Sequence, residues 1–259
     1  MESRPDAAQV AGRLLALRCV VTHAIGIPLL SDLEGWTEAQ RRELASDRES
    51  KSRRFWDSVN SSSIFPYLSP WERRFATTTM LTMSLQQHLD GMWRMEAGQV
   101  LMWALRLIPD LPAPDKQTDL DLRKIEILSR PTSFLSAAAL RNQSEIDRAR
   151  NVAELWHWRS RTEELIREGR PFPADETTLT QGLRSYQDIV RRTAKAAHER
   201  GDVQSVIGHD FGVKGKSYAD LRPEEWSEVR SITIERHRAL NWLCGYSPNN
   251  NWDETPTDT

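Results

Sequence analysis

Apolar residues recur at intervals of three and four along most of this chain, which is the spacing of one face of an α-helix. The stretch 223–245 shows this clearly, with a proline and two glutamates in its first turn and Gly245 as its stop signal. The same stretch carries Glu235, Arg236 and His237 within or beside its apolar stripe. Polar groups in such positions must be paired in the folded protein, so we expect a buried polar cluster here.

The same spacing predicts helices along the rest of the chain. Thr37 with Gln40, and Ser69 with Glu72, have the pattern of a capping box at a helix start. The predicted helices cover residues 10–26, 38–60, 71–89, 92–108, 146–168 and 179–200, and two shorter pieces lie between 120 and 140. Only residues 203–207 favour an extended strand.

The absence of an alternating strand series or an internal repeat predicts an all-α or nearly all-α fold. We expect one compact multi-helix globular domain over residues 1–259, with at most a short extended piece near 203–207. A chain of this length lies near the upper limit for one hydrophobic core, and no flexible linker divides it. We expect the polar tail at 247–259 to pack back on the helices.

Composition narrows the classes of function. The net charge is −2, which argues against a dedicated nucleic-acid-binding protein. The four arginine pairs lie among acidic residues, as on solvated helix faces. Ten tryptophans are many for one chain and predict an aromatic-rich core or interface.

The sequence also predicts where the protein resides. The polar N-terminus and Arg18 leave no recognisable signal peptide. The longest uncharged apolar run, residues 100–105, is too short to span a bilayer. Cys19 and Cys244 both lie on predicted helices and are expected to be reduced, buried thiols. These features predict a cytoplasmic protein without a membrane partner.

A second polar group lies on the predicted helix 92–108, where Arg94 occupies an apolar seam. An arginine is always charged and needs acceptors when it is buried, so Glu235 could pair with Arg94 and Asp253 with Arg236. The structural interpretation is that this network only pins the C-terminal tail to the helices. The residues that form the predicted cluster are Arg94, Glu96, Glu235, Arg236, His237, Asn241, Trp242 and Asp253.

The functional interpretation makes the same cluster a binding pocket. His237 would be a general base or a ligand, and Glu235 is the second catalytic candidate. Arg94 or Arg236 would then bind an anionic group.

Other motifs are weaker. No histidines stand at helical metal-ligand spacing and there is no cysteine pair, so we predict no metal and no cofactor. His157 lies on a charged helix face and is expected to be solvated. The stretch 210–217 ends in Gly-Lys-Ser like a phosphate-binding loop, but Asp210 stands where that loop needs glycine, so we expect an ordinary loop.

Several of these motifs occur together in one known family. The most specific are Trp93-Arg94-x-Glu96 with Trp103-Ala104-Leu105, a connector ending in Pro114-Asp115, His157-Trp158, residues 235–246, and the closing residues 252–259. In this combination the chain resembles the bacterial proteins grouped as domain of unknown function 4272. The resemblance runs from Gly26 to the last residues and is loosest over 169–223. It implies a class of protein and leaves the activity open.

Two hypotheses of different kinds follow. The leading one is a helical protein-interaction or scaffold module without catalytic activity, since no catalytic motif is complete; its partner would be another protein or a second copy. The alternative is a small-molecule-binding protein or enzyme that uses Arg94, Glu235 and His237 as an anion-binding or acid–base pocket. A regulatory or immunity partner of another bacterial protein is a third hypothesis, which no residue selects.

Overall fold

A computed structural model describes residues 3–28, 33–119, 121–125, 129–174, 180 and 182–257. Within these residues the fold is mostly helical, which confirms the predicted class. The helices are α1 (Ala7–Gly26), α2 (Glu38–Asn60), α3 (Pro70–Phe75), α4 (Leu85–Ala104), α5 (Pro131–Ala137), α6 (Gln143–Arg167), α7 (Tyr186–Arg200) and α8 (Pro223–Leu243). The strands are β1 (Val206–Ile207), β2 (Asp210–Val213) and β3 (Lys216–Ser217).

Local capping signals fix several helix starts. Reciprocal capping boxes open α2 at Thr37 and α3 at Ser69, as predicted. Two more open α1 at Asp6 and α4 at Ser84. Each box satisfies backbone N–H groups that have no partner within the helix, so the start of each helix is set by a few neighbouring residues.

The predicted break between helices at 71–89 and 92–108 was wrong. α3 already ends at Phe75, where the hydroxyls of Thr77 and Thr78 donate to backbone carbonyls of the last turn. α4 begins before Gly91 and continues through it. A side chain at Gly91 would lie 2.8 Å from the Phe75 ring, so this glycine permits close packing and does not end a helix.

The prediction for residues 179–200 was partly right. α7 begins at Tyr186, after an N-cap formed by Ser185, and ends at Gly201 in the left-handed conformation with φ 78°. Leu183 precedes the helix, and the predicted helical position of Leu179 lies outside the described residues.

The extended part is larger than predicted. β1, β2 and β3 form an antiparallel sheet in that order, in which Val206 pairs with Phe211 and Gly212 pairs with Ser217. Two-residue turns join the strands, at Gly208-His209 and at 214–215, and all four turn residues have positive φ. Such turns are the tight hairpin connections whose twist matches that of the strands. The resemblance to a phosphate loop therefore arises from a β-hairpin.

The chain forms two compact units. The first unit comprises Met1–Leu111, Thr118–Ile146 and Arg238–Pro256, and the second comprises Pro112–Gln117, Asp147–His237 and Thr257–Thr259. A single domain over 1–259 stays a prediction. The second unit has a core built from α6, α7, the sheet and α8, with buried residues that include Trp156, Ala194, Phe211, Tyr218 and Val229.

In the first unit, α1 packs mainly against α4. Leu14, Leu15 and Leu17 of α1 are completely buried, and the helix also buries Arg13 and His23. Although α1 is rich in apolar residues, no helix within the described ranges is both long enough and apolar enough to cross a membrane.

Candidate functional site

Arg94 and Glu96 lie on α4 in the first unit, and both are buried. The guanidinium of Arg94 lies 5.0 Å from the centre of the Trp71 ring, a cation–π contact. The carboxylate of Glu96 accepts the backbone N–H of Thr118 at 2.8 Å. Glu96 thus holds a loop segment.

Asp253 and Trp252 connect the C-terminal tail to the same unit. The carboxylate of Asp253 accepts the backbone N–H of Trp71 at 2.8 Å, in the first turn of α3. The Trp252 ring is only 3% exposed and lies 5.2 Å from the guanidinium of Arg13. This part of the tail is therefore packed and hydrogen-bonded.

Asn241 and Trp242, at the end of α8, make further contacts with the tail. The side-chain amide of Asn241 donates to the Pro256 carbonyl at 2.8 Å. The indole N–H of Trp242 donates to the Asn250 carbonyl at 3.0 Å. Both predicted binding residues satisfy backbone acceptors of the tail that would otherwise need water.

Arg236 lies in the second unit and is 5% exposed. Its guanidinium donates to the carbonyls of Pro112 and Ala113, each at 3.0 Å, and to that of Lys116 at 2.7 Å. These carbonyls belong to the proline-rich connector. The planar fork of the guanidinium suits several acceptors at once, so Arg236 fixes the path of this connector.

His237 and Glu235 are buried in the second unit, as the helix pattern predicted. The Nδ1 atom of His237 lies 2.9 Å from the Nδ1 atom of His157 on α6. The prediction that His157 is solvated was wrong, since it is 7% exposed. The face of α6 that carries most of its charged residues therefore also carries a buried imidazole.

The two ion pairs predicted for the cluster each join one residue from each unit. Glu235 with Arg94, and Arg236 with Asp253, stay predictions. Within each unit the described partners are backbone groups, an aromatic ring and a second histidine.

A buried ion cluster in the second unit was missed. Arg159, which is 1% exposed, donates to both carboxylate oxygens of Asp210, at 2.7 and 2.6 Å, and to Glu163 at 3.0 Å. Its guanidinium also lies 4.4 Å from the centre of the Tyr218 ring. Arg159 and Glu163 are four residues apart on one helix, and this spacing could have predicted that they pair. Nothing in the sequence predicted that Arg159 also pairs with Asp210, 51 residues away.

Tyr218 completes this cluster. Its hydroxyl lies 2.6 Å from the hydroxyl of Ser160, and burial raises the pKa of the phenol to about 12. The phenol therefore stays neutral at physiological pH and serves as a hydrogen-bonding group. Asp210, which occupies a glycine position of the phosphate-loop pattern, is needed here to neutralise Arg159.

Comparison with known protein families matches residues 2–181 to the family described as Domain of unknown function (DUF4272). The chain belongs to the DUF4272 family. The DUF4272 match includes Arg94, Glu96 and His157, whereas the resemblance noted for residues 235–246 and 252–259 lies beyond it. No curated protein and no solved structure matches the chain.

The DUF4272 chain exposes one row of leucines in its first unit. Leu81, Leu85 and Leu89 are 65%, 59% and 39% exposed. Leu85 and Leu89 are one turn apart on α4, and Leu81 lies in the turn that precedes Ser84, the N-cap of this helix. We call these three residues the leucine row. Trp36 is the one tryptophan among the exposed large apolar residues of the described chain, so the tryptophans do not form an exposed patch there.

A metal site finds no support in the side chains. In the described ranges, no group of three or more His, Cys, Asp or Glu residues is placed to hold an ion.

Proposed function

We propose that this DUF4272 protein is a non-catalytic protein-interaction module that associates with a second copy of itself through the leucine row. The exposure of Leu81, Leu85 and Leu89 is the observation that carries the proposal. Leu85 and Leu89, spaced by four on α4, lie on one ridge of that helix, and such ridges interdigitate when two helices pack. Two copies related by a twofold axis would present the same ridge to each other.

Charge around the leucine row favours a second copy as the partner. Residues 81–90 contain one charged residue, Asp90, in a chain in which 28% of the residues are charged. The carboxylate of Asp90 accepts a hydrogen bond from the Gln86 amide at 2.8 Å. Apposing two identical stretches therefore brings little like-charge repulsion, whereas a strongly charged partner would find only one charged residue along this stretch.

The size of the surface sets the expected affinity. A stable interface buries about 800 Å² on each partner, and three leucines supply only part of that area. We therefore expect association that is weak and depends on concentration, as in transient complexes. This suits an adaptor or scaffold that assembles when its local concentration rises.

The buried polar residues fit a structural role in this proposal. Arg236 donates to three backbone carbonyls, and Asp253 and Asn241 hold the tail. We assign Arg94, Glu235 and His237 to the same role, in preference to an acid–base pocket. We also place the protein in the cytoplasm, a proposal supported by its two buried free cysteines, Cys19 and Cys244.

Sedimentation velocity over a range of protein concentrations tests the proposal. We expect the average mass of the wild-type protein to rise toward that of a dimer, and the Leu85→Glu variant to remain monomeric. Gln187→Glu introduces the same charge at an exposed position of α7 and should behave as wild type. A wild-type protein that stays monomeric, or a Leu85→Glu variant that still associates, would refute the proposal.

A further inference from the structure

Two adjoining cavities lie beside α2 in the first unit. The first, of about 190 Å³, lies between α2 and residues 76–80. The second, of about 170 Å³, lies between α2 and the C-terminal end of α1. Ile27, Arg48 and Ser52 line both cavities, so a ligand in either would contact the same three side chains.

His23 lines the second cavity and is 3% exposed. Its Nδ1 atom accepts the indole N–H of Trp56 at 3.0 Å. Because an indole nitrogen can only donate, Nδ1 carries no hydrogen, and the Nε2–H is left to donate to the Thr78 carbonyl at 3.1 Å. Burial lowers the pKa of this imidazole to about 4, in agreement with a neutral ring.

Ser52 is left with a hydroxyl hydrogen to donate. Its Oγ lies 3.1 Å from His23 Nδ1, but the single lone pair of that nitrogen already accepts the Trp56 N–H. The Ser52 hydroxyl can therefore turn its hydrogen toward the cavities. His23 is therefore not a base for Ser52.

Arg48, which lines both cavities, supplies a positive charge beside Ser52. Its Nε is buried and has no hydrogen-bond partner within the described chain. Two other arginines of α2 are ion-paired, Arg42 with Glu38 and Arg53 with Glu49. An acceptor on a bound ligand would satisfy this buried donor.

We propose that Arg48 and Ser52 form a binding site for a small monocarboxylate with an apolar body. The carboxylate would accept hydrogen bonds from both side chains. The apolar body would enter the second cavity, which is lined by Gly26, Ile27 and Phe55. An apolar cavity of about 150 Å³ is enough to hold benzene, so both cavities admit a body of that size.

Charge selects a singly charged ligand. The first cavity is also lined by Glu49 and Arg53, which pair with each other, and by Asp57, which would repel a second negative charge. In the second cavity, Lys51 is already paired with Asp47 at 2.8 Å. Arg48 is thus the cation left for the ligand, and a single carboxylate balances it.

Isothermal titration calorimetry with benzoate tests this site. We expect benzoate to bind the wild-type protein, Arg48→Gln to weaken binding at least about 10-fold, and Ser52→Ala to weaken it by about 5-fold. Arg42→Gln removes the same charge from an exposed position of α2 and should leave binding unchanged. Circular dichroism would establish that each variant keeps its helical content.

Three results would overturn the proposal. These are no heat of benzoate binding to the wild-type protein, equal binding of benzyl alcohol, which lacks the charge, and tighter binding of inorganic phosphate. The site is independent of the leucine row, so Leu85→Glu should still bind benzoate. Failure of self-association and failure of this site are therefore separate outcomes.

Discussion

The Nδ1 atoms of His157 and His237 lie 2.9 Å apart, and both imidazoles are buried. One nitrogen must donate and the other accept, so the two rings share a single hydrogen at this contact. Two imidazolium rings would direct N–H groups at each other and could not keep this geometry. The contact ties α6 to α8 within the second unit through side chains 80 residues apart.

Replacing either histidine should destabilise the protein. His157→Leu or His237→Leu leaves one buried ring nitrogen without this partner, at a cost of about 2 kcal/mol in the free energy of unfolding. The double variant should lose about 1 kcal/mol less than the sum, because it removes both groups that need each other. Urea unfolding of the four proteins measures this coupling. Strictly additive losses would show that the contact contributes nothing.

The buried ion pair between Arg13 and Glu72 should be far more sensitive than an exposed one. The Glu72 side chain is completely buried and also accepts the Ser69 N–H that opens α3. Glu72→Gln would leave the Arg13 charge uncompensated, so we expect a loss of about 3 kcal/mol in unfolding free energy. Glu38→Gln is the matched control, because the side chains of Glu38 and Arg42 are 77% and 76% exposed, and it should cost less than about 0.5 kcal/mol. Equal losses of unfolding free energy in the two variants would contradict a larger contribution from the buried ion pair.

His23 should make stability depend on pH. Its pKa is about 4 in the fold, below the ordinary value of 6.5, so between these values the unfolded chain binds a proton that the folded chain does not. Stability from this residue is therefore complete above pH 6.5 and is lost as the pH falls toward 4. Between pH 6.5 and 4.5 the wild-type protein should lose about 2 kcal/mol more than a His23→Phe variant. Parallel pH profiles of unfolding free energy for the two proteins would count against a neutral buried His23.

The sequence predicted those parts of the fold that depend on neighbouring residues. The boxes at Thr37 and Ser69 were recognisable because each joins side chains and backbone three residues apart. Gly91 was misread because its role depends on Phe75 and Ala24, whose contacts form only in the folded unit. The local sequence identifies residues that can end a helix, but packing in the folded unit determines whether the helix ends there.

The candidate site shows the same division. The apolar stripe of α8 predicted that Arg236 and His237 are buried, because the 3.6-residue period of a helix shows which side chains share a face. Their partners did not follow, since Arg236 binds backbone carbonyls about 120 residues away and any peptide group could have served. The approach of Ser52 on α2 to His23 on α1 was equally invisible, because α1 and α2 carry no pattern that fixes their mutual register.

Arg236→Lys should loosen the connector without removing the charge. An ammonium lacks the planar fork that lets one side chain reach the carbonyls of Pro112, Ala113 and Lys116 together, so we expect part of these hydrogen bonds to be lost. Amide hydrogen exchange of residues 113–117 should accelerate by about 10-fold, which corresponds to about 1.4 kcal/mol of local protection. Arg230→Lys is the control, because Arg230 is partly exposed and pairs with the single carboxylate of Glu164, a geometry that lysine can reproduce. If exchange in the connector is unchanged in Arg236→Lys, the three carbonyl contacts do not hold this segment, and a ligand-binding role for Arg236 regains weight.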